Sequence, residues 1–183
     1  MTGTILTVCT GNVCRSPYLH RRLELALAGS GIRVHSAGTG ALADHPMDPS
    51  MAQFLGADAD PAFRARQLTK QDVLSADLVL TATRAHRTLV TQLAPRALRT
   101  TATLADFAQL ADLAVSDSDW RADHEGAPLA QRVVDVLALR PHVAPLPPEM
   151  ADVPDPYRAG HGVYRESAAM IDSLLPSVLS VLR

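Results

Sequence analysis

The stretch Ile5-Leu6-Thr7-Val8-Cys9-Thr10-Gly11-Asn12-Val13-Cys14-Arg15-Ser16-Pro17 decides how the rest of the chain is read. Residues 4–8 are apolar or β-branched and make a buried strand, residues 9–15 make a tight loop, and Ser16-Pro17 opens a helix. Proline suits the first helical turn, where its missing N–H costs nothing. Leu19, Leu23, Leu25, Ala26 and Leu27 supply the helix with an apolar face. A loop running into a helix N-terminus turns several backbone N–H groups into one concavity, which suits an oxyanion. The same position favours the thiolate form of a cysteine. A cysteine, an arginine six positions later and a neighbouring serine therefore predict a site where sulfur attacks a phosphate.

Working outward, Gly29-Ser30-Gly31 stops the helix and 32–35 forms a short second strand, followed by a glycine-rich turn at 36–40. Residues 47–55 read as a helix. Residues 56–68 read as irregular, and Thr69 caps a short helix with Asp72 in capping-box position. A third strand is expected over 77–81, a helix over 84–93 ended by Pro95, a fourth strand over 99–103 and a helix over 104–114. The polar, acidic stretch 115–127 precedes a helix at 129–139. Five prolines at 141, 145, 147, 148 and 154 predict an extended loop. A last helix runs over about 163–182, with a bend expected at Pro176. Strands alternating with helices predict one α/β domain over 1–183. Its four-stranded parallel sheet is flanked by helices on both faces, with the phosphate-binding loop between the first strand and the first helix. Residues 115–154 stand out as an extended loop and helix inserted before the final helix. In such a sheet the site lies at the carboxyl ends of the strands, beside the switch in strand order.

Each residue of the loop has a plain alternative. Cys9 is the proposed nucleophile, which would form a thiophosphate that water later hydrolyses; the alternative is a small buried hydrophobe. Arg15 presents a planar fork to two phosphate oxygens; the alternative is a surface arginine, poorly placed at the positive end of a helix unless an anion sits there. Gly11 and Asn12 tolerate left-handed backbone and turn N–H groups inward, or simply make a turn. Ser16 caps the helix, donates to Cys9, or does both. Cys14 is a small buried side chain or a partner for a reversible disulfide with Cys9. A phosphatase also needs a proton donor for the leaving oxygen. Asp155 stands out because Asp155-Pro156-Tyr157 follows the proline-rich stretch, although Asp-Pro is also a common turn, and Tyr157 could stack on an aromatic substrate.

Bulk composition narrows the classes. The chain has 183 residues, is 47% hydrophobic and 20% charged, and carries a net charge of -2, so no basic bias points to nucleic acid or an anionic membrane. Aromatic residues, at 4%, are too few for a base-stacking surface. No apolar run approaches the roughly 20 residues that span a bilayer, and the start enters a strand without a leader pattern, so a cytoplasmic protein is expected. Cys9 and Cys14 are the only cysteines and sit in one loop, which suits catalysis or redox protection rather than a staple. The seven histidines show no ligand spacing, and no metal is expected.

With these residues in view, the chain resembles the bacterial branch of the low-molecular-weight protein tyrosine phosphatases. Cys9-(five residues)-Arg15-Ser16 after the first strand resembles the family's phosphate loop, and Asn12, Cys14 and Pro17 match it too. Ser36-Ala37-Gly38-Thr39 resembles a second loop whose serine contacts the loop asparagine. Residues 40–49 with Leu42 resemble a substrate-side loop, Ala65-Arg66-Gln67-Leu68 a segment behind the phosphate loop, and Asp155-Pro156-Tyr157 the general-acid motif. The resemblance implies hydrolysis of protein phosphotyrosine through a cysteinyl-phosphate, without cofactor. In it Cys9, Arg15 and Asp155 are catalytic, and Thr10, Gly11, Asn12, Val13, Cys14, Ser16, Leu42 and Tyr157 line the phosphate and substrate site. Ser36 is expected to support the loop. Substrates implied are phosphotyrosine proteins, a bacterial tyrosine kinase among them; a monomer is expected. Phe63 stands where relatives often carry histidine before the Arg-rich segment, which removes a polar support. Asp152 is the alternative acid. Phosphoarginine phosphatases resemble the same loop but with threonine where this chain has Val13, which points toward phosphotyrosine. A phosphoarginine phosphatase, or a non-catalytic phospho-binding domain, are the alternatives.

Overall fold

The computed structural model describes residues 3–183. Four parallel strands, β1 (Gly3–Cys9), β2 (Ile32–Gly38), β3 (Leu78–Thr81) and β4 (Thr101–Thr103), form one sheet in the order β2-β1-β3-β4. The helices are α1 (Arg15–Ala26), α2 (Pro49–Ala52), α3 (Lys70–Ser75), α4 (Arg84–Leu93), α5 (Leu104–Ser116), α6 (Trp120–Asp123), α7 (Leu129–Ala138), α8 (Pro148–Ala151) and α9 (His161–Leu182). Alternation along the strands divides the core. Ile5, Cys9, Leu78 and Leu80 face a larger cluster with Leu19, Leu23, Phe107, Ile171 and Val178. Leu6, Val8 and Val79 face a smaller one with Val73, Val90 and Ala97. Helices thus cover both faces, as the alternation of elements predicts.

Three expectations need correcting. The second strand continues through Ser36-Ala37-Gly38 instead of turning there. Cys9 pairs with Gly38, and Gln67 bridges to Gly38 from the far side, so hydrogen bonds on both edges keep the chain extended. The helix expected over 47–55 is a single turn, Pro49–Ala52, capped by Asp48, whose side chain accepts from Ser50 N. A turn and a 3-10 segment at Gly56–Asp58 follow, and Gly56 lies at φ +58°. The proline-rich stretch is not wholly extended, because Pro147 and Pro148 start the short helix α8, where prolines need no N–H. One other expectation holds in detail: Thr69 and Asp72 form a reciprocal capping box. The last helix, α9, is one helix over His161–Leu182 with Pro176 inside it.

Residues 115–140 pack away from the site. Leu129 of α7 lies against Gly3 so closely that a Cβ there would sit 2.5 Å from its Cδ2, which is the opposite end of β1 from Cys9. Arg132 is buried and ties α7 to the end of α9, with Nη1 donating to the carbonyl of Arg183 at 2.6 Å. Only the end of the proline-rich stretch returns to the strand carboxyl ends: Val153 N–H donates to Ala82 O at 2.9 Å. That return brings Asp155 beside the first loop.

Candidate active site

The site follows from the position of β1. It is central, with β2 on one side and β3 on the other, so its carboxyl end opens into the crevice left where the strand order reverses. Cys9 is its last residue and only 2% exposed. Residues 10–14 then curve into α1. Asn12 sits at φ +55°, a left-handed conformation that asparagine tolerates and that turns the loop inward. A cavity of about 150 Å3 lies over the loop, lined by Cys9, Thr10, Gly11, Val13, Cys14, Arg15, Gly40, Leu42, Asp155 and Tyr157. A larger groove, about 820 Å3, runs between α1 and α9 beside Arg22, Arg121 and Asp172, and neither cysteine nor histidine lines it.

A relay of donors ends at the sulfur. Arg66 N–H donates to Asn12 Oδ1 at 2.9 Å, and Asn12 Nδ2 donates to Ser16 Oγ at 2.9 Å. Ser16 Oγ in turn lies 3.0 Å from Cys9 Sγ, and once the cysteine is a thiolate the hydroxyl is the only donor of the pair. Thr7 Oγ1 fixes the same turn by donating to Ser16 O at 2.9 Å. A buried hydroxyl aimed at sulfur stabilises negative charge there. Ser16 makes no side-chain cap to the helix backbone, which begins after Cys14; its role is toward the sulfur. Cys14 is also buried, and burial, followed by the negative charges of Asp48, Cys9 and Asp155, pushes its thiol well up. Of the two free cysteines, Cys14 therefore stays protonated.

Arg15 is 5% exposed and reaches across to the acid loop. Nη2 pairs with Asp155 Oδ2 at 2.8 Å and Nη1 donates to Val153 O at 3.2 Å. Its Nε is buried without a partner, an unused donor in an otherwise satisfied fork. An oxyanion in the cavity would complete it. Asp155 is held on its other side by Tyr157 N–H, 3.2 Å from Oδ1. Asp152, the alternative acid, does not line the cavity, and its Oδ1 accepts from Arg84 N–H at 2.8 Å.

The hydrogen bond expected from Ser36 to the loop asparagine is not made. Its Oγ is buried with no hydrogen-bond partner. It lies in β2 opposite Thr7, and the Asn12 amide bonds instead to Ser16 and to the backbone of Arg66. Phe63 packs against the large core.

Two contributors had not been singled out. Gly38 lies directly under the loop, where a Cβ would sit 2.3 Å from Thr10 O and 3.0 Å from Asn12 N, both backbone atoms. Gly38→Ala is expected to destabilise the protein by about 3 kcal/mol and to weaken inorganic phosphate binding. An unchanged urea midpoint would show that the loop can move aside. His86, 6% exposed, has Nε2 2.8 Å from Thr10 Oγ1 and Nδ1 2.7 Å from Thr83 Oγ1. Burial, and then the charge of Arg15, push it from 6.5 down to about 4, against the opposing pull of Asp155 and Asp152. The unfolded chain protonates this ring near 6.5 and the folded one only near 4, so acidification between these values favours unfolding. Stability present above pH 6.5 is expected to fall by an amount on the order of 3 kcal/mol as the pH drops to 4. Urea unfolding of wild type and His86→Gln at pH 7 and pH 4.5 checks this. Equal losses in the two proteins would assign the acid sensitivity elsewhere.

A parallel sheet in this order, with a buried cysteine ending β1 and an arginine fork closing the loop, defines the class of α/β proteins that hold an oxyanion over a cysteine. The chain belongs to the low molecular weight phosphotyrosine protein phosphatase family, whose model matches residues 4–140. Asp155 and Tyr157 lie beyond that stretch and are placed by the geometry described above. The chain is 47% identical over 83 residues to the probable low molecular weight protein-tyrosine-phosphatase EpsP of Ralstonia solanacearum, covering 44% of this chain and 55% of that protein. It is 38% identical over 96 residues to the low molecular weight protein-tyrosine-phosphatase Etp of Escherichia coli K12, covering 51% and 63%. These matches thus span little more than half the length of the curated relatives. The YwlE arginine phosphatase of Geobacillus stearothermophilus superposes with a TM-score of 0.69 at 25% identity, covering 97% of this chain and 90% of that one. Among the described residues no helix is long and apolar enough to cross a membrane, and no cluster of three His, Cys, Asp or Glu side chains could hold a metal ion.

Proposed function

We propose that this chain hydrolyses phosphotyrosine in proteins through a cysteinyl-phosphate. The observation that carries the reading is the convergence of Cys9, Arg15 and Asp155, 146 positions apart in sequence at the extremes (155 − 9), on one small cavity. The Cys9 thiolate attacks phosphorus, forming the S–P bond as the ester O–P bond breaks. Asp155, in its acid form, gives its proton to the departing phenol oxygen. Arg15 exchanges Asp155 for the phosphoryl oxygens and, with the loop N–H groups, balances their charge. Water then attacks phosphorus, Asp155 takes its proton, and the S–P bond breaks to restore the thiolate and release phosphate.

The walls favour an aryl ester. Val13 and Leu42 are apolar, and Tyr157, 38% exposed, stands at the rim with Arg158 5.1 Å over its ring. The buried sulfur also requires a long arm on the substrate. The likeness to an arginine phosphatase raises phosphoarginine as a second reading. A guanidinium in this cavity would find one acid, Asp155, and that acid is already paired with Arg15. The test is turnover of a phosphotyrosine peptide against free phosphoarginine. Preference for phosphoarginine would overturn the substrate assignment, and turnover of neither would leave a phospho-binding domain. The relatives named above are protein-tyrosine-phosphatases, and we infer phosphotyrosine proteins as the substrate class, a bacterial tyrosine kinase being one candidate to assay.

A further inference from the structure

The first turn of α4 touches both halves of the site. Thr83 caps this helix, its Oγ1 accepting from His86 N–H at 3.3 Å. The His86 ring lies between two hydroxyls, with Nδ1 toward Thr83 and Nε2 toward Thr10, the residue that follows the nucleophile. On the same turn, Arg84 N–H donates to Asp152 Oδ1 at 2.8 Å and Ala82 O accepts from Val153 N–H at 2.9 Å. Asp155 follows within three residues. Neither His86 nor Asp152 lines the cavity.

We propose that the β3–α4 turn sets the phosphate loop and the acid loop in register, with His86 and Asp152 as positioning residues acting through Thr10 and Asp155. The proposal rests on the phosphatase reading. A neutral imidazole offers one donor and one acceptor, which is what a bridge between two hydroxyls needs. The charged groups facing the ring are Arg15, Asp155 and Asp152, and their balance together with burial keeps it neutral above about pH 4. Without the ring, Thr10 loses its tether and a void opens under the loop whose N–H groups hold the phosphoryl oxygens. Asp152 places a carboxylate at the positive end of α4 and anchors the acid loop at a second point beside the Val153 hydrogen bond. Its loss leaves the phosphate loop intact and loosens Asp155. The two residues therefore act on different steps: His86 on phosphoryl binding, Asp152 on protonation of the leaving group.

The experiment compares kcat/KM for p-nitrophenyl phosphate, whose leaving group needs no proton, with that for phenyl phosphate, whose leaving group does. Inhibition by inorganic phosphate is measured alongside. Asp155→Ala is the reference for loss of the acid. Asp152→Ala is expected to lower kcat/KM for phenyl phosphate about tenfold while changing p-nitrophenyl phosphate less than about threefold. Asp152→Asn, whose Oδ1 still accepts from Arg84, recovers most of the loss. His86→Ala is expected to weaken phosphate inhibition about tenfold and to lower both esters alike, and His86→Gln, which keeps a donor and an acceptor, recovers it. Equal losses on the two esters in Asp152→Ala, or failure of the Asn and Gln variants to recover, would reduce both residues to structural ones and overturn the proposal. A wild-type protein inert toward both esters overturns the phosphatase reading and the proposal with it. An active wild type with flat variants overturns the proposal alone.

Discussion

Cys9→Ser lowers kcat/KM for an aryl phosphate by roughly 10⁴-fold or more while leaving the fold and phosphate binding in place. The change replaces one atom at the floor of the cavity, so sterics are nearly preserved. What is lost is the ready anion. The hydrogen-bond chain Arg66 N–H, Asn12, Ser16 ends with the Ser16 hydroxyl 3.0 Å from Sγ, where it donates to a thiolate. That contact suits an anion, and an alcohol ionises far less readily than a thiol. No general base stands beside position 9 to compensate, since Asp155 is paired with Arg15 and His86 is turned to Thr10 and Thr83. Steady-state rates, with titration of inorganic phosphate to confirm the intact cradle, decide the matter. Activity within tenfold of wild type would remove Cys9 from the nucleophile's role.

The phosphate loop was readable because its chemistry is contiguous: cysteine, turn formers, arginine and serine stand within eight residues, between a strand and a helix that propensity alone supports. The strands and long helices were readable by alternation and by caps such as Thr69 with Asp72. Contacts closed over long separations were not. His86 meets Thr10 across 76 positions, and a histidine three residues after a capping threonine carries no mark of it. Gly38 looked like one glycine of a turn; its need arises only when β2 carries it under Thr10. The hydrogen bond expected of Ser36 fails for the converse reason. A likeness of motif placed its hydroxyl against Asn12, but a backbone N–H, which no side-chain pattern reveals, had taken that place. Asp155 is readable only as a motif, with Asp152 beside it; the structure puts Asp155 at the cavity and Asp152 against Arg84 N–H of α4.

Arg15→Lys is the second large loss expected, on the order of 10³-fold in kcat/KM. It tests geometry rather than charge, since lysine keeps the positive charge. Arg15 performs three tasks from one buried plane: Nη1 fixes the acid loop at Val153 O, Nη2 holds Asp155, and Nε is left for an incoming oxyanion. An ammonium is a point charge on a flexible stem and cannot span these directions at once. If it turns to Asp155 it abandons the phosphoryl group; if it turns to the phosphoryl group it leaves the Val153 anchor empty and the acid loop free. Either way the transition state loses paired donors on its equatorial oxygens, where charge grows as the S–P bond forms. The lysine variant is therefore expected to lie within about tenfold of Arg15→Ala, with phosphate inhibition weakened in both. A lysine variant close to wild type would mean that charge alone is needed. The planar fork, and the bridge it makes between the phosphate loop and the acid loop, would then carry none of the catalysis.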